Sequence, residues 1–402
     1  MKVEVVSSTA VGRVLAPPSK SIAHRYIICA ALSECVSTIQ NVDLSKDILA
    51  TIECASALGA EISVSGSTVT VRGTDFTLKN NELFCNESGS TLRFFVPLCL
   101  LTNQKITLKG SERLFARKLS VYEKICKEQN IEFLMGKNSL TLCGRLTSGE
   151  YIVKGNISSQ FISGLLFSLP LLENDSVLKI TNTFESRPYV DLTLMALKKF
   201  GIEIKEKNEC EYLIKGNQKY SPCNAVTEGD YSNAAFFDAL KYFGNDVTVD
   251  GLDTESLQGD KVYKQHFEAL NNGFCEIDIS DCPDLAPILM TFAAAKNGAR
   301  FFGTRRLKIK ESDRGVVMAE ELSKFGADIK VSENEIIVNK TKLHAPDSML
   351  YGHNDHRIVM SLAVLCCVFG GIIDGAEAVS KSFPRFFEVL ESLGVKVKKN
   401  DT

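Results

Sequence analysis

Apolar and polar positions along this chain fall into a pattern that recurs six times. A helix-like stretch is followed by Gly or Asn and then by a short alternating strand. It reads ASALGAEISV at Gly59, CKEQNIEF at Asn130, LKKFGIEIK at Gly201, EALNNGFCEI at Gly273, LSKFGADIKV at Gly326 and LESLGVKVK at Gly394. The punctuating residue is one that tolerates the left-handed conformation closing a helix. Successive gaps are 71, 71, 72, 53 and 68 residues. A second series of six apolar, helix-like runs begins near Ser21, Ser90, Ser159, Ser232, Asp284 and His356, with gaps of 69, 69, 73, 52 and 72. Both series shorten at the same place, so the chain reads as a true repeat of about 70 residues.

Each repeat predicts a strand, a buried helix, a strand, a second helix and a further strand. The first helix is apolar nearly all round and is expected to be buried; the second is amphipathic, as in DILATIECASAL and YVDLTLMALKKF. Six repeats suit two domains of three each.

Composition narrows the function. Of 402 residues, Lys plus Arg number 46 and Asp plus Glu 49, a net charge of −3, which removes the footprint of a general nucleic-acid binder. Apolar residues at 45% and charged residues at 24% are the mix of a folded globular protein. The 13 cysteines form no CxxC pair and no Cys/His cluster with zinc spacing, the pattern of free thiols in a reducing compartment. MKVEVVSS carries no signal-like apolar segment, and the apolar uncharged run Ile358 to Ile373 falls short of a membrane span. A cytoplasmic location is the expectation.

The six apolar helix starts carry the candidate chemistry. They hold Lys20-Ser21, Gly89-Ser90, Ser158-Ser159-Gln160 and Asp355-His356-Arg357. A helix N-terminus has free N–H groups and partial positive charge, small residues let a ligand approach the backbone, and Lys and Arg add full charge. Taken singly, such Ser and Asp residues serve equally well as N-caps. The basic residues shift the balance: Lys20, Arg25, Arg93, Arg113, Arg117, Lys310, Arg314, Arg357 and Lys381 all lie beside glycine, serine or proline motifs. The pattern points to a site for a strongly anionic small molecule.

These segments resemble one family. PPSKSIAHR (Pro17 to Arg25) is similar to the N-terminal signature PGSKSxxxR of 5-enolpyruvylshikimate-3-phosphate synthases. NESGSTLRF (Asn86 to Phe94) resembles the family's NAGTxxR loop, and ERLFARKL (Glu112 to Leu119) its RxxRP segment. SSQF, SRPYVDLT, EGDYSNAAFF, LQGD, CPDLAP, IKESDR, NDHRIVM and KSFPRFFEVL follow in family order. The resemblance implies an α/β fold of two domains, each of three βαβαββ repeats in an inside-out α/β barrel, closing on the substrates like a hinge. It places the chain crossings near Pro18 and Thr227-Glu228, giving residues 1–18 plus 228–402 in one domain and 19–227 in the other. It further implies a monomer that needs neither metal nor cofactor and transfers the enolpyruvyl group of phosphoenolpyruvate to the 5-hydroxyl of shikimate 3-phosphate. This step belongs to the shikimate pathway, on the route to chorismate and aromatic amino acids.

Residue by residue, the resemblance assigns Ser21, Arg25, Ser158, Ser159, Ser186, Tyr189 and Lys310 to shikimate 3-phosphate and Gln160 to both substrates. Lys20, Gly89, Arg117, Arg314, Arg357 and Lys381 go to phosphoenolpyruvate, and Lys20 to shikimate 3-phosphate as well. Asp284 and Glu311 match the acid/base pair, with Asp284 expected as base toward the 5-hydroxyl and also in contact with shikimate 3-phosphate. Glu311 is expected at the methylene carbon, and Lys20 to assist at the bridging oxygen and the phosphates. The chemistry asks for such a set: two phosphates and a carboxylate must be gathered in one place, which several cations make tolerable. Read without the family, Asp284 is a helix N-cap after Pro283 and Glu311 a salt-bridge partner of Lys310 or Arg314. Pro18, Glu87-Ser88, Lys118 and Arg306 depart from the family pattern.

Two other readings compete. UDP-N-acetylglucosamine enolpyruvyl transferase shares the fold, but its motif has Lys-Asn where Lys20-Ser21 stands, and it uses a loop cysteine that is missing between Arg113 and Lys118. A non-catalytic phosphoanion-binding protein could use the same scaffold. No GxxxxGK[ST] loop and no GxGxxG after a strand supports a nucleotide site.

Overall fold

The computed structural model describes residues 1–400, which form two compact units. One comprises Met1–Pro17 and the chain from Gly229 onward; the other is continuous, Pro18–Glu228. Each has its own apolar core, the first built around residues such as Phe237, Phe292, Leu362 and Phe386, the second around Ile27, Phe94, Phe161 and Leu197.

The repeat is realised most plainly at Glu82–Phe84. That strand leads into helix Gly89–Cys99, strand Ile106–Lys109, helix Ser120–Glu128 and the hairpin Glu132–Met135 with Ser139–Cys143. Glu82–Phe84 pairs parallel with Ile106–Lys109, which pairs antiparallel with Ser139–Cys143, itself antiparallel to Glu132–Met135. Strands Glu150–Lys154 onward and Cys275–Asp278 onward repeat this order. Among the described residues the four-stranded sheets stay separate and none closes on itself, so the barrel-like part of the expectation is not realised as a closed barrel.

Three sheets are completed by strands distant in sequence. In the continuous unit, Asn224–Val226 supplies the parallel partner of Val36–Gln40. In the other, Lys2–Val6 lies between Gly371–Asp374 and Lys396–Asn400. The shortened interval also has a structural cause. After strand Asp246–Asp250 and helix Tyr263–Asn272 the chain enters strand Cys275–Asp278 directly, without the hairpin that closes the first, second, third and fifth repeats. The Asp246–Asp250 sheet is correspondingly a two-stranded parallel pair with Val11–Leu15. Gly273 is extended there, whereas Gly59, Asn130, Gly201, Gly326 and Gly394 take positive φ after their helices.

The six apolar helices form where the pattern predicts: Lys20–Ala31, Gly89–Cys99, Ser159–Ser168, Tyr231–Tyr242, Ala286–Ala295 and His356–Phe369. Their burial extends around the helix, as in Ile22 to Ala31 and His356 to Cys367. A helix without a polar face finds its lowest free energy only when enclosed. Ser88, Ser158, Asp230 and Asp355 cap their helices through side-chain oxygens. Asp284 does not: Leu285 stands at the cap of Ala286–Ala295. Among the described residues no helix is long and apolar enough to cross a membrane.

Candidate functional site

Within each unit, sequence-identified residues meet one another and close neighbours. In the continuous unit Lys20 opens its helix, and its Nζ meets Asp47 Oδ2 at 2.7 Å. Arg25 is buried one turn further on. Its guanidinium donates to Ser21 O at 2.5 Å, Tyr189 O at 2.7 Å and Thr193 Oγ1 at 2.8 Å, binding helix Lys20–Ala31 to helix Arg187–Lys199. Burial pushes Arg25 down to about 10, so it remains a cation at neutral pH. Ser186, buried at the cap of the second helix, holds a left-handed backbone (φ 55°) that a non-glycine residue adopts at a cost.

Gly89 occupies the first position of its helix against two guanidiniums. A Cβ there would stand 2.6 Å from Arg117 Nη1 and 3.0 Å from Arg93 Nη1. Arg93 donates to Gln160 Oε1 at 2.9 Å, and Gln160 Nε2 donates to Ser90 Oγ at 2.9 Å. Gln160 thereby joins the starts of helices Gly89–Cys99 and Ser159–Ser168. Ser158 caps the latter by accepting from Gln160 N at 3.3 Å, with Ser159 buried beside it. Arg113, by contrast, is exposed, and Glu87 is half-buried.

The second cluster centres on Asp284. Its carboxylate accepts from Arg314 Nη1 at 2.8 Å, Lys310 Nζ at 3.1 Å and Arg357 Nη2 at 3.1 Å. Burial alone would raise this carboxyl; Arg357, Lys310 and Arg314 outweigh it and hold Asp284 well below the ordinary carboxylate range. Lys310 is lowered too, but there the shift disfavours the charged form. Burial pushes its ammonium down to about 8, with Arg306 and Arg314 adding to the fall and Asp284 opposing it. Arg314 is fixed from behind by Asp355, which accepts from its Nε at 2.9 Å and its Nη2 at 3.2 Å. Asp355 also accepts from Ser312 Oγ and Arg357 N. Lys381 Nζ donates to Asn354 O at 2.6 Å, at the foot of the same helix.

Glu311 Oε2 lies 2.9 Å from His356 Nδ1. Read from sequence, Glu311 would pair with its neighbours Lys310 or Arg314; the folded chain brings it to a histidine 45 residues away. Glu311, Asp355 and His356 could in principle offer three ligand atoms to a metal ion, all within 4.8 Å of one another. Both Asp355 oxygens already accept from Arg314, so a guanidinium supplies the cation at this cluster.

The assigned residues thus divide between the units. Lys20, Ser21, Arg25, Gly89, Arg117, Ser158, Ser159, Gln160, Ser186 and Tyr189 belong to the continuous one, and Asp284, Lys310, Glu311, Arg314, Arg357 and Lys381 to the other. The sequence marked Asp355, His356 and Arg93 only as members of the helix starts and the basic set, and gave Asp47 no role. Asp355 was legible only as a helix cap. Asp47 carried no local mark, because its lysine partner is 27 residues away.

Comparison with known proteins points one way. The sequence model of the family described as EPSP synthase (3-phosphoshikimate 1-carboxyvinyltransferase) matches residues 6–390. A 3-phosphoshikimate 1-carboxyvinyltransferase of Clostridium perfringens strain 13 is 43% identical, across 98% of each chain. One of Clostridium novyi strain NT is 41% identical across 98% of this chain and 97% of the relative. Among solved structures, an EPSP synthase of Acinetobacter baumannii shares the fold with a TM-score of 0.79 at 21% identity, covering 99% of this chain and all of that one. The enolpyruvyl transferase NikO of Streptomyces tendae shares it with a TM-score of 0.77 at 15% identity, covering 99% and 98%.

Proposed function

This chain belongs to the EPSP synthase family, with the family's 3-phosphoshikimate 1-carboxyvinyltransferase activity in the shikimate pathway, and on that premise we propose how its two cation clusters divide the work. Arg25, Ser21, Ser158, Ser159, Ser186, Tyr189 and Lys310 hold shikimate 3-phosphate. Lys20, Gly89, Arg117, Arg314, Arg357 and Lys381 hold phosphoenolpyruvate, and Gln160 touches both. The observation that supports this most directly is Asp284, one carboxylate facing Lys310, Arg314 and Arg357 together.

That arrangement also gives Asp284 its chemistry. With three cations around it the carboxylate is a weak base. When anionic substrates draw on those cations, their hold on Asp284 loosens and its basicity rises toward that of a general base. Asp284 then takes the proton of the 5-hydroxyl as that oxygen attacks C2 of phosphoenolpyruvate. C3 gains a proton, becoming a methyl group, from the Glu311 side, where His356 Nδ1 orients the carboxyl. The resulting ketal phosphate collapses: the methyl group returns a proton, the C2–O bond to phosphate breaks and the enol ether re-forms. Lys20 neutralises charge on the phosphate oxygens during departure.

The test is phosphate release from phosphoenolpyruvate with and without shikimate 3-phosphate. Release that requires shikimate 3-phosphate supports the reading. Release stimulated instead by UDP-N-acetylglucosamine would assign the chain to the other acceptor. Binding of shikimate 3-phosphate with no release would leave a phosphoanion-binding protein. We further propose that the chain acts as a monomer in the cytoplasm, to be checked by sedimentation and by cell fractionation.

A further inference from the structure

Behind the Gly89 helix start lies a chain of polar side chains with no place in the reaction. His24 Nδ1 is 2.7 Å from Thr51 Oγ1, Thr51 Oγ1 is 2.8 Å from Thr91 Oγ1, and Thr91 Oγ1 donates to Ser88 Oγ at 2.7 Å. All four residues are buried, with His24 at 1% exposure and the other three at 0%. They lie among the apolar side chains of the continuous unit's core, including Ile27, Ile48, Cys54 and Leu92.

The donors run in one direction. Ser88, the helix cap, accepts from both the Thr91 hydroxyl and Thr91 N. Thr91, its hydrogen committed, accepts from Thr51, and Thr51 accepts from His24. The imidazole is therefore the neutral tautomer with its hydrogen on Nδ1. Burial, with Lys20 and Arg25 nearby, holds His24 well below its usual range and keeps it in that form. Thr91 Oγ1 also reaches Asp47 O at 3.5 Å, the residue whose carboxylate receives Lys20.

The chain joins three helices, Lys20–Ala31, Lys46–Ala57 and Gly89–Cys99. His24 lies one turn after Lys20, Thr51 one turn after Asp47, and Thr91 two residues after Gly89. Apolar side chains would fill the same volume without specifying a distance, whereas a directional hydrogen-bonded row in a low-dielectric interior favours one spacing of its backbones. We propose that His24, Thr51 and Thr91 are positioning residues, a buried hydrogen-bonded row that fixes the starts of helices Lys20–Ala31 and Gly89–Cys99 relative to each other and so sets the affinity for phosphoenolpyruvate. This rests on the assignment of Lys20 and Gly89 to that substrate.

The experiment compares Thr51→Val and Thr91→Val, which keep shape and lose the hydroxyl, with Thr51→Ser and Thr91→Ser, which keep the hydroxyl and lose a methyl. Steady-state constants for both substrates and the melting temperature are measured for each. The valine variants are expected to raise the KM for phosphoenolpyruvate at least 5-fold, with the KM for shikimate 3-phosphate within 2-fold and kcat within 3-fold. The serine variants should keep the parent KM values even where their melting temperature falls. Thr51→Val/Thr91→Val should lose no more than either single variant, since one break opens the row. Folded valine variants with the parent KM for phosphoenolpyruvate, or serine variants as impaired as valine, would overturn the proposal. Should a valine variant fail to fold, Thr51→Ala takes its place with the same expectation. Failure of the underlying assignment is separate: it would show in the parent protein, as no phosphate release dependent on shikimate 3-phosphate.

Discussion

Replacing Gly89 by Ala adds one methyl group at the floor of the proposed phosphoenolpyruvate site. The backbone at Gly89 is helical and accepts alanine, so the fold should persist. The methyl carbon, however, would stand 2.6 Å from Arg117 Nη1 and 3.0 Å from its Cζ. Ordinary contact begins near 3.4 Å, so the guanidinium must retreat by about 0.8 Å. At an effective dielectric of about 20, moving a charge from about 4 Å to about 4.8 Å from an anion weakens the attraction by about 0.7 kcal/mol, roughly 3-fold in affinity. If the displacement also breaks a charged hydrogen bond, a further loss of about 2 kcal/mol brings the change to roughly 100-fold. The KM for phosphoenolpyruvate, measured by phosphate release at saturating shikimate 3-phosphate, should therefore rise between about 3-fold and about 100-fold. The KM for shikimate 3-phosphate should stay within 2-fold. Glyphosate, the family's inhibitor competitive with phosphoenolpyruvate, should inhibit the parent protein and weaken at least in parallel with the substrate. A folded variant whose phosphoenolpyruvate KM and inhibition curve both match the parent would refute the placement of Gly89 and Arg117 at that substrate.

Four other expectations follow from the second cluster. Burial pushes Lys310 down to about 8 in the folded protein, against the ordinary 10.5 of a lysine in the unfolded chain. Above pH 8 it loses its charge, so kcat/KM for shikimate 3-phosphate should fall through that pH, and Lys310→Arg should remove the fall; an identical fall in the variant would assign it elsewhere. The same shift has the opposite sign for stability: between pH 8 and 10.5 the unfolded chain holds more protons at this lysine, so its contribution to stability rises with pH. Asp284→Asn and Glu311→Gln should each lower kcat by roughly 100-fold to 10,000-fold, the span of general acid–base catalysis, and a loss below 5-fold would deny the residue that role. Asp355→Ala takes from Arg314, whose side chain is 2% exposed, the carboxylate that meets its Nε, and should cost about 3 kcal/mol in urea denaturation; a loss below about 1 kcal/mol would show the pair to be dispensable.

Much of the architecture was legible along the chain. The starts of the six apolar helices, the left-handed residues after Ala57 and Lys199, and the interval that loses a hairpin before Cys275 all depend on neighbours within a few positions. Local backbone preference and the burial of a helix without a polar face act over that range, so composition and spacing record them. Ser21, Gly89 and Gln160 could be identified for the same reason, since each lies at a helix start. What Asp284 does could not be read this way: from sequence it was as plausibly a cap, and only the fold sets it against Lys310, Arg314 and Arg357. Likewise Glu311 gained His356, Lys20 gained Asp47, and His24 gained Thr51 through packing between separate helices. The sequence by itself determined which helices form and which of their ends bear cations. The tertiary structure decided which charges meet, because the strength and direction of a buried electrostatic contact depend on separations and solvent exclusion that arise only when distant segments pack together.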